Sequence, residues 1–413
     1  MQAIESMGTI HAAAMSTLMR EPRTTIIDDT LNVRRRLDRL RTDMETWERA
    51  DAIVEQRIQD LRSNPPKFKT LTEQHGVQLD TLQHRLWLTM VQEPLEISVQ
   101  IITRTGYDAV RANLIRQFAG LTKEDKILWM HNFLFIMTPD LRILYNKIVK
   151  VCGYRSFGQQ RNFLLGGASG MGKTAFLDWL AAQYLPMVGD EYNHVPIAKI
   201  DAPVTNRTPK PLLHNILLEY GATWMGNDNE DALLDRIVLY RHWCRTILYI
   251  VDEVQHIKSH DLKLRLLEIT NKTHILMICA SCTPRKFVEG DVEIKGRWND
   301  FFELRQYTGE RLDQLLAFME LLLPFTESSC LGMRAIKTGP KKSDHVTGPA
   351  TLIERWTGGI LRDIMILLAD ASARAIERGE SSLSTALLEE TWRGIQASQV
   401  TDFLKVLQRA PYR

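Results

Sequence analysis

The stretch Gly167-Ala168-Ser169-Gly170-Met171-Gly172-Lys173-Thr174 decides the fold. It follows an apolar β-forming run, Asn162 to Leu165, and leads through Ala175 into a segment of helical spacing that ends near Tyr184. Phosphate binding needs that order of strand, glycine-rich turn and helix. The glycines let successive backbone N–H groups curl around a β-phosphate, and the helix N-terminus adds a favourable dipole. Lys173 would reach the β- and γ-phosphates of ATP, and the Thr174 hydroxyl would hold Mg2+.

Downstream, the apolar strand Ile247 to Val251 ends in Asp252-Glu253. A buried strand that delivers two carboxylates at its carboxyl end, in the same sheet as a phosphate loop, suits ATP hydrolysis. Asp252 would bind the magnesium through water, and Glu253 would act as general base on the attacking water. Between and beyond these motifs the patterns alternate: a strand at Val195–Ile200, helices at Pro211–Tyr220 and Asp231–Cys244, a helix at Leu262–Thr270 and a strand at Ile275–Cys279. Such alternation predicts a parallel sheet covered by helices. The expected class is therefore α/β, an AAA+ P-loop ATPase with a C-terminal helical lid and an α-helical N-terminal extension.

Three further positions follow from that class. Ser281 or Thr283, at the end of the strand Ile275–Cys279, would sense the γ-phosphate, with ordinary turn chemistry as the alternative. Arg297, ahead of Phe301-Phe302, would serve as a finger in trans or as a surface ion-pair partner. Arg362, in Gly358-Gly-Ile-Leu-Arg362-Asp, would begin a lid helix and contact the γ-phosphate in cis, with a surface ion pair as the alternative.

The chain has 413 residues, so a single small module is excluded. Its 52 basic and 50 acidic side chains nearly cancel, which confines any nucleic-acid contact to a local stripe or to repetition over many subunits. Five cysteines are too few for a disulfide framework, and a reducing cytosol is expected. The Cys279-x-x-Cys282 spacing lacks the partners a zinc site needs. No secretory signal and no membrane span is expected.

Ahead of the ATPase, residues 1–64 read as a flexible start followed by an amphipathic, coiled-coil-like helix from Leu37 to Leu61. Its basic face would contact DNA, or pack on its own domain or a neighbour. Residues 65–120 read as helical. Leu71 to Trp87 suits either a helix-turn-helix, whose second helix would offer Thr81 and Arg85 to DNA, or a plain helical hairpin. Residues 121–308 would be the ATPase core, opening on helical patterns at Lys123–Met137 and Leu141–Cys152; 309–400 would be the helical lid, interrupted by a loop at Thr326–Gly348, and 401–413 a tail.

From Leu121 to about Ile395 the chain resembles the TniB/TnsC family of transposition regulators. The resemblance rests on LLGGASGMGKT, VPIAKIDAPV, LYIVDEVQHI, ILMICASCTP, GRWNDFF, MELLLPF and GGILRDIMILLADASARAIERG in that order. Mu B is similar in carrying a helix-turn-helix ahead of its ATPase domain. The resemblance implies a DNA-associated ATPase of the bacterial cytosol that oligomerises as a ring or filament on duplex DNA without sequence preference when ATP is bound. It further implies signals from a TniQ-like selector or an RNA-guided complex, recruitment of a transposase, and disassembly on hydrolysis. On the stretch Thr205-Asn-Arg-Thr-Pro-Lys210 it implies phosphate contacts from Arg207, Thr208 and Lys210, which otherwise read as solvated loop charges. A loader or remodelling ATPase that acts on a protein partner without DNA is the alternative.

Overall fold

Beside a short parallel pair, β1 (Leu95–Glu96) and β2 (Ile136–Met137), five parallel strands carry the nucleotide motifs: β3 (Phe163–Gly167), β4 (Ile197–Asp201), β5 (Leu248–Asp252), β6 (Leu276–Ser281) and β7 (Asp300–Leu304). Their order across the sheet is β4-β5-β6-β3-β7, so β6 lies between the strand of the phosphate loop and the strand that ends in Asp252. The computed structural model describes residues 33–34, 37–38, 41, 95–96, 104–131, 136–153, 162–184, 194–204, 208–220, 228–337 and 345–409.

The central strands are apolar throughout because both faces are covered. Along β5, Leu248 and Ile250 join one core with Phe176, Leu177 and Leu180 of α4 (Lys173–Ala182) and with α3 (Pro139–Gly153). Tyr249 and Val251 alternate into a second core, packed by α5 (Lys210–Glu219), α6 (Glu230–Trp243) and α7 (His260–Thr273). Two short helices, α8 (Pro284–Val288) and α9 (Val292–Arg297), join β6 to β7.

The lid consists of α10 (Glu310–Leu321), α11 (Pro349–Thr357), α12 (Leu361–Arg378) and α13 (Thr385–Arg409). Helices α1 (Arg104–Ala119) and α2 (Lys123–His131) pack on it. The Arg111 guanidinium donates to the carbonyls of Glu320, Leu321, Leu323 and Phe325 at 2.6–3.2 Å, gathering the carbonyls at the C-terminal end of α10. Trp129 Nε1 adds a 2.8 Å bond to the Leu322 carbonyl. Helical residues farther upstream join this layer: Val33 and Leu37 are buried, and Arg41 donates to Asp125.

Three segments depart from the sequence reading. The helix expected over Lys123–Met137 ends at His131, and β2 (Ile136–Met137) pairs in parallel with β1 (Leu95–Glu96). Thr138-Pro139 then starts a new helix. The Thr138 hydroxyl accepts from Leu141 N, and proline suits the first turn of the new helix α3. The loop expected over Thr326–Gly348 holds an antiparallel pair, β8 (Ala335–Lys337) with β9 (His345–Thr347). Strand β7 was read only as an aromatic pair after Arg297; as an edge strand it is half exposed, so its residues do not form a continuous apolar run. Among the described residues no helix is long and apolar enough to cross a membrane.

Candidate nucleotide site

The phosphate loop leaves the carboxyl end of β3. Its backbone turns through positive φ at Gly167 (145°), Gly170 (79°) and Gly172 (86°), the last opening α4. These conformations favour glycine. At Gly167 a side chain would also strike the Leu304 carbonyl, 2.8 Å from where its Cβ would stand. Lys173 is buried, and its ammonium donates to the carbonyls of Gly167 (2.7 Å) and Ala168 (3.0 Å). Burial holds its pKa below the usual lysine value, against the opposing pull of Cys282, Glu253 and Asp252.

Across the sheet, Thr174 Oγ1 donates to Asp252 Oδ2 at 2.7 Å, and Asp252 Oδ1 accepts from Glu253 N at 2.8 Å. Asp252 is buried at the carboxyl end of β5. A hydroxyl and a carboxylate held together beside a phosphate cradle are hard oxygen donors, and they fit Mg2+, which takes one or two carboxylates and completes its shell with phosphate and water. Among the described residues no group of three or more His, Cys, Asp or Glu side chains is placed to hold a metal. Cys279 is buried in β6 with its thiol pKa pushed up by burial, whereas Cys282 is exposed beyond the strand end.

Beneath the carboxylates, Lys199 of β4 pairs with Asp178 of α4 at 2.8 Å. Burial alone would lower the lysine's pKa, but Asp178, Asp201 and Asp252 outweigh burial and hold it above its ordinary value. Asp201 and Asp252 stand in register at the ends of adjacent strands.

The C-terminal helices meet the loop at the N-terminus of α12. Arg362 N donates to the Gly170 carbonyl at 2.9 Å, and a Cβ on Gly170 would come within 2.8 Å of Ile360 Cγ2 and 3.3 Å of Arg362 Nε. The turn ahead of α12 is locked to the end of the core. Gly359, at φ 73°, has its carbonyl on Tyr307 N at 2.9 Å and leaves no room for a side chain against the Tyr307 carbonyl. The Arg362 side chain is largely exposed and bonds to Asp363 through Nε.

The other expected residues lie as follows. Ser281 pairs in register with Gly166, and its buried hydroxyl accepts from Thr283 N at 3.0 Å, so it shapes the turn into α8. Thr283 is half-buried. Arg297 ends α9, and its carbonyl accepts from Asn162 N just before β3. That end of β3 is about 16 Å from Gly167, so Arg297 is not placed to serve its own phosphate loop. Thr208 is exposed, and half-buried Lys210 opens α5. Arg207, Thr81 and Arg85 lie outside the described residues. Sequence reasoning missed Gln255, which bonds to Glu253, and the Lys199–Asp178 pair. The signal for Gln255 was in view, within DEVQHI, but its partners are set by the turn after β5.

The strand order and the loop together identify the core. Residues 155–285 match the AAA domain family model. The matched stretch holds the phosphate loop and Asp252-Glu253, and the chain has the AAA+ P-loop ATPase fold, with helical regions before and after. No curated protein matches the chain. Among solved structures it is similar to the ORC1 protein of Aeropyrum pernix in complex with DNA, with 17% identity, 67% of this chain and 72% of that one covered, and a TM-score of 0.45. The ORC2 protein of the same organism, in ADPNP-ADP complexes, has 16% identity, 61% and 65% coverage and a TM-score of 0.39. For RuvB of Thermotoga maritima the values are 13%, 56%, 61% and 0.36.

Proposed function

We propose that this chain is an ATP-hydrolysing transposition regulator that assembles on target duplex DNA, links target selection to transposase recruitment, and comes apart after hydrolysis. The observation that carries the nucleotide-gated part is the 2.9 Å bond from Arg362 N to the Gly170 carbonyl. It joins the lid directly to the phosphate loop, so a nucleotide entering the loop acts on the lid's position. The sequence resemblance to the TniB/TnsC family supports the transposition part.

In this reading Lys173 leaves the loop carbonyls for the β- and γ-phosphates, with the loop N–H groups around them. Thr174 and Asp252 hold Mg2+, which when bound neutralises charge on the phosphates. Glu253 takes a proton from a water whose oxygen bonds to the γ-phosphorus; the bond to the β–γ bridging oxygen breaks, releasing ADP and inorganic phosphate. Ser281 or Thr283 senses the γ-phosphate from the β6 end. Arg297, remote from its own loop, reaches the nucleotide of a neighbouring subunit, so the interface holds only while the γ-phosphate is present. Arg207, Thr208 and Lys210 contact DNA phosphates, with few basic groups per subunit repeated along an oligomer. Thr81 and Arg85, ahead of the ATPase core in the sequence, add further contacts. A TniQ-like selector or an RNA-guided complex supplies the target signal.

Retention of duplex DNA on a filter, with and without ATP and over several salt concentrations, tests this reading. ATP-dependent retention that weakens with salt is expected. Absence of retention of any duplex at low salt overturns the DNA part and leaves an ATPase that acts on protein. Electron microscopy with duplex DNA and a non-hydrolysable ATP analogue reports the assembly.

A further inference from the structure

Gln255 stands two residues beyond Glu253, in the 3-10 turn Val254–His256 that follows β5. Both ends of its amide are engaged. The nitrogen donates to Glu253 Oε2, and the oxygen accepts from the main-chain N–H of Cys282 at 3.2 Å, one residue past β6. The oxygen's bond to an N–H donor fixes which way the amide faces, and only its nitrogen can serve the carboxylate. Glu253 is meanwhile held by its backbone. It adopts the left-handed region at φ 56°, uncommon for a residue with a side chain, and its N–H is tied to Asp252 Oδ1. His256 Nε2 lies 3.9 Å from the same carboxylate oxygen that Gln255 binds. The β6 end in turn borders the phosphate loop, since Ser281 pairs with Gly166.

We propose that Gln255 is a positioning residue that aims the Glu253 carboxylate and makes that aim follow the position of the β6 end. A shift of that strand end passes through the Cys282 N–H to the amide, and from the amide to Glu253. Occupation of the γ-phosphate position beside β6 and alignment of the base then become one event. The inference rests on the reading of Glu253 as the base.

The test uses the full chain, with ATP turnover measured in Mg2+ and duplex DNA. Gln255→Met keeps the length of the side chain and removes both bonds; Gln255→Glu keeps the acceptor for Cys282 and removes the donor. Both are expected to lower kcat about 10- to 100-fold while KM and the affinity for a fluorescent ATP analogue stay within about twofold. In a Glu253→Gln background, Gln255→Met is expected to add no further loss, because it acts through the carboxylate that is already gone. A kcat within about twofold of wild type for both variants, an effect confined to KM, or an equal proportional loss in the Glu253→Gln background overturns the proposal while leaving Glu253 as the base. If Glu253→Gln itself turns over as fast as wild type, the base assignment fails and this inference falls with it.

Discussion

Thr174 and Asp252, separated by 78 residues in the chain, share a 2.7 Å hydrogen bond from the threonine hydroxyl to the carboxylate. The bond crosses from α4 to the end of β5, over the strand β6 that lies between β5 and β3. Thr174→Ala leaves Asp252 Oδ2 buried without that donor, and a loss of about 1–3 kcal/mol of stability is expected, read by urea denaturation. The Mg2+ concentration that half-saturates ATP turnover is expected to rise. An unchanged Mg2+ requirement would remove Thr174 from the metal site.

Glu253→Gln is expected to retain nucleotide binding, to slow turnover by about 10²–10⁴-fold and to prolong assemblies on DNA. Lys173→Ala is expected to lose both nucleotide binding and ATP-dependent assembly. Analogue titration and single-turnover hydrolysis separate the two. Assembly by Lys173→Ala without nucleotide would overturn the proposed coupling of ATP to oligomer formation.

Arg111 ties α1 to the lid through four carbonyls at the end of α10. Arg111→Ala is expected to destabilise the protein by about 2–3 kcal/mol, since charged hydrogen bonds exceed neutral ones and the α10 carboxyl end loses its cation. Arg111→Lys is expected to recover only part of this, because an ammonium lacks the planar fork. Thermal melts of the three proteins check the order.

The Lys199–Asp178 pair is nearly closed to solvent. Lys199→Met strands a buried carboxylate and is expected to cost about 3–5 kcal/mol at neutral pH; adding Asp178→Asn recovers part of it. In wild type, the lysine's raised pKa means its contribution is full below the ordinary lysine value and is lost as pH rises through the raised one. Asp178 has the same sign, opposite to that of a carboxylate whose pKa is lowered by pairing. Burial outweighs Lys199 and lifts its carboxyl above the usual range, so its stabilising effect falls as pH rises through that window. Removing the lysine lifts the carboxyl further. The deficit of Lys199→Met is therefore expected to shrink as pH falls and Asp178 takes up a proton, which denaturation across the acid range would report.

Legibility followed distance along the chain. The strand, turn and helix of the phosphate loop span consecutive residues, and their periodicities and glycines are local signals. Strand β5 and its two acids were readable for the same reason. Strand β7 was not, because at the sheet edge Phe301 remains exposed and the run lacks the continuous apolar character of a covered strand. Ile136–Met137 passed as helix because a short apolar run fits either period. The partners of Gln255 were hidden because one of them, the Cys282 N–H, belongs to another strand's end.

The amino-acid sequence by itself determined that a phosphate cradle stands at a strand–helix junction and that a pair of carboxylates ends another buried strand, since both follow from residues within a few positions of one another. Tertiary structure alone decided that Thr174 meets Asp252, that Arg362 docks on Gly170 and that Arg111 holds the lid. The first of those contacts depends on the strand order β4-β5-β6-β3-β7, which differs from the order along the chain, and the other two on how the helices pack. Long crossovers bring the partners together, and burial on both sheet faces holds them there.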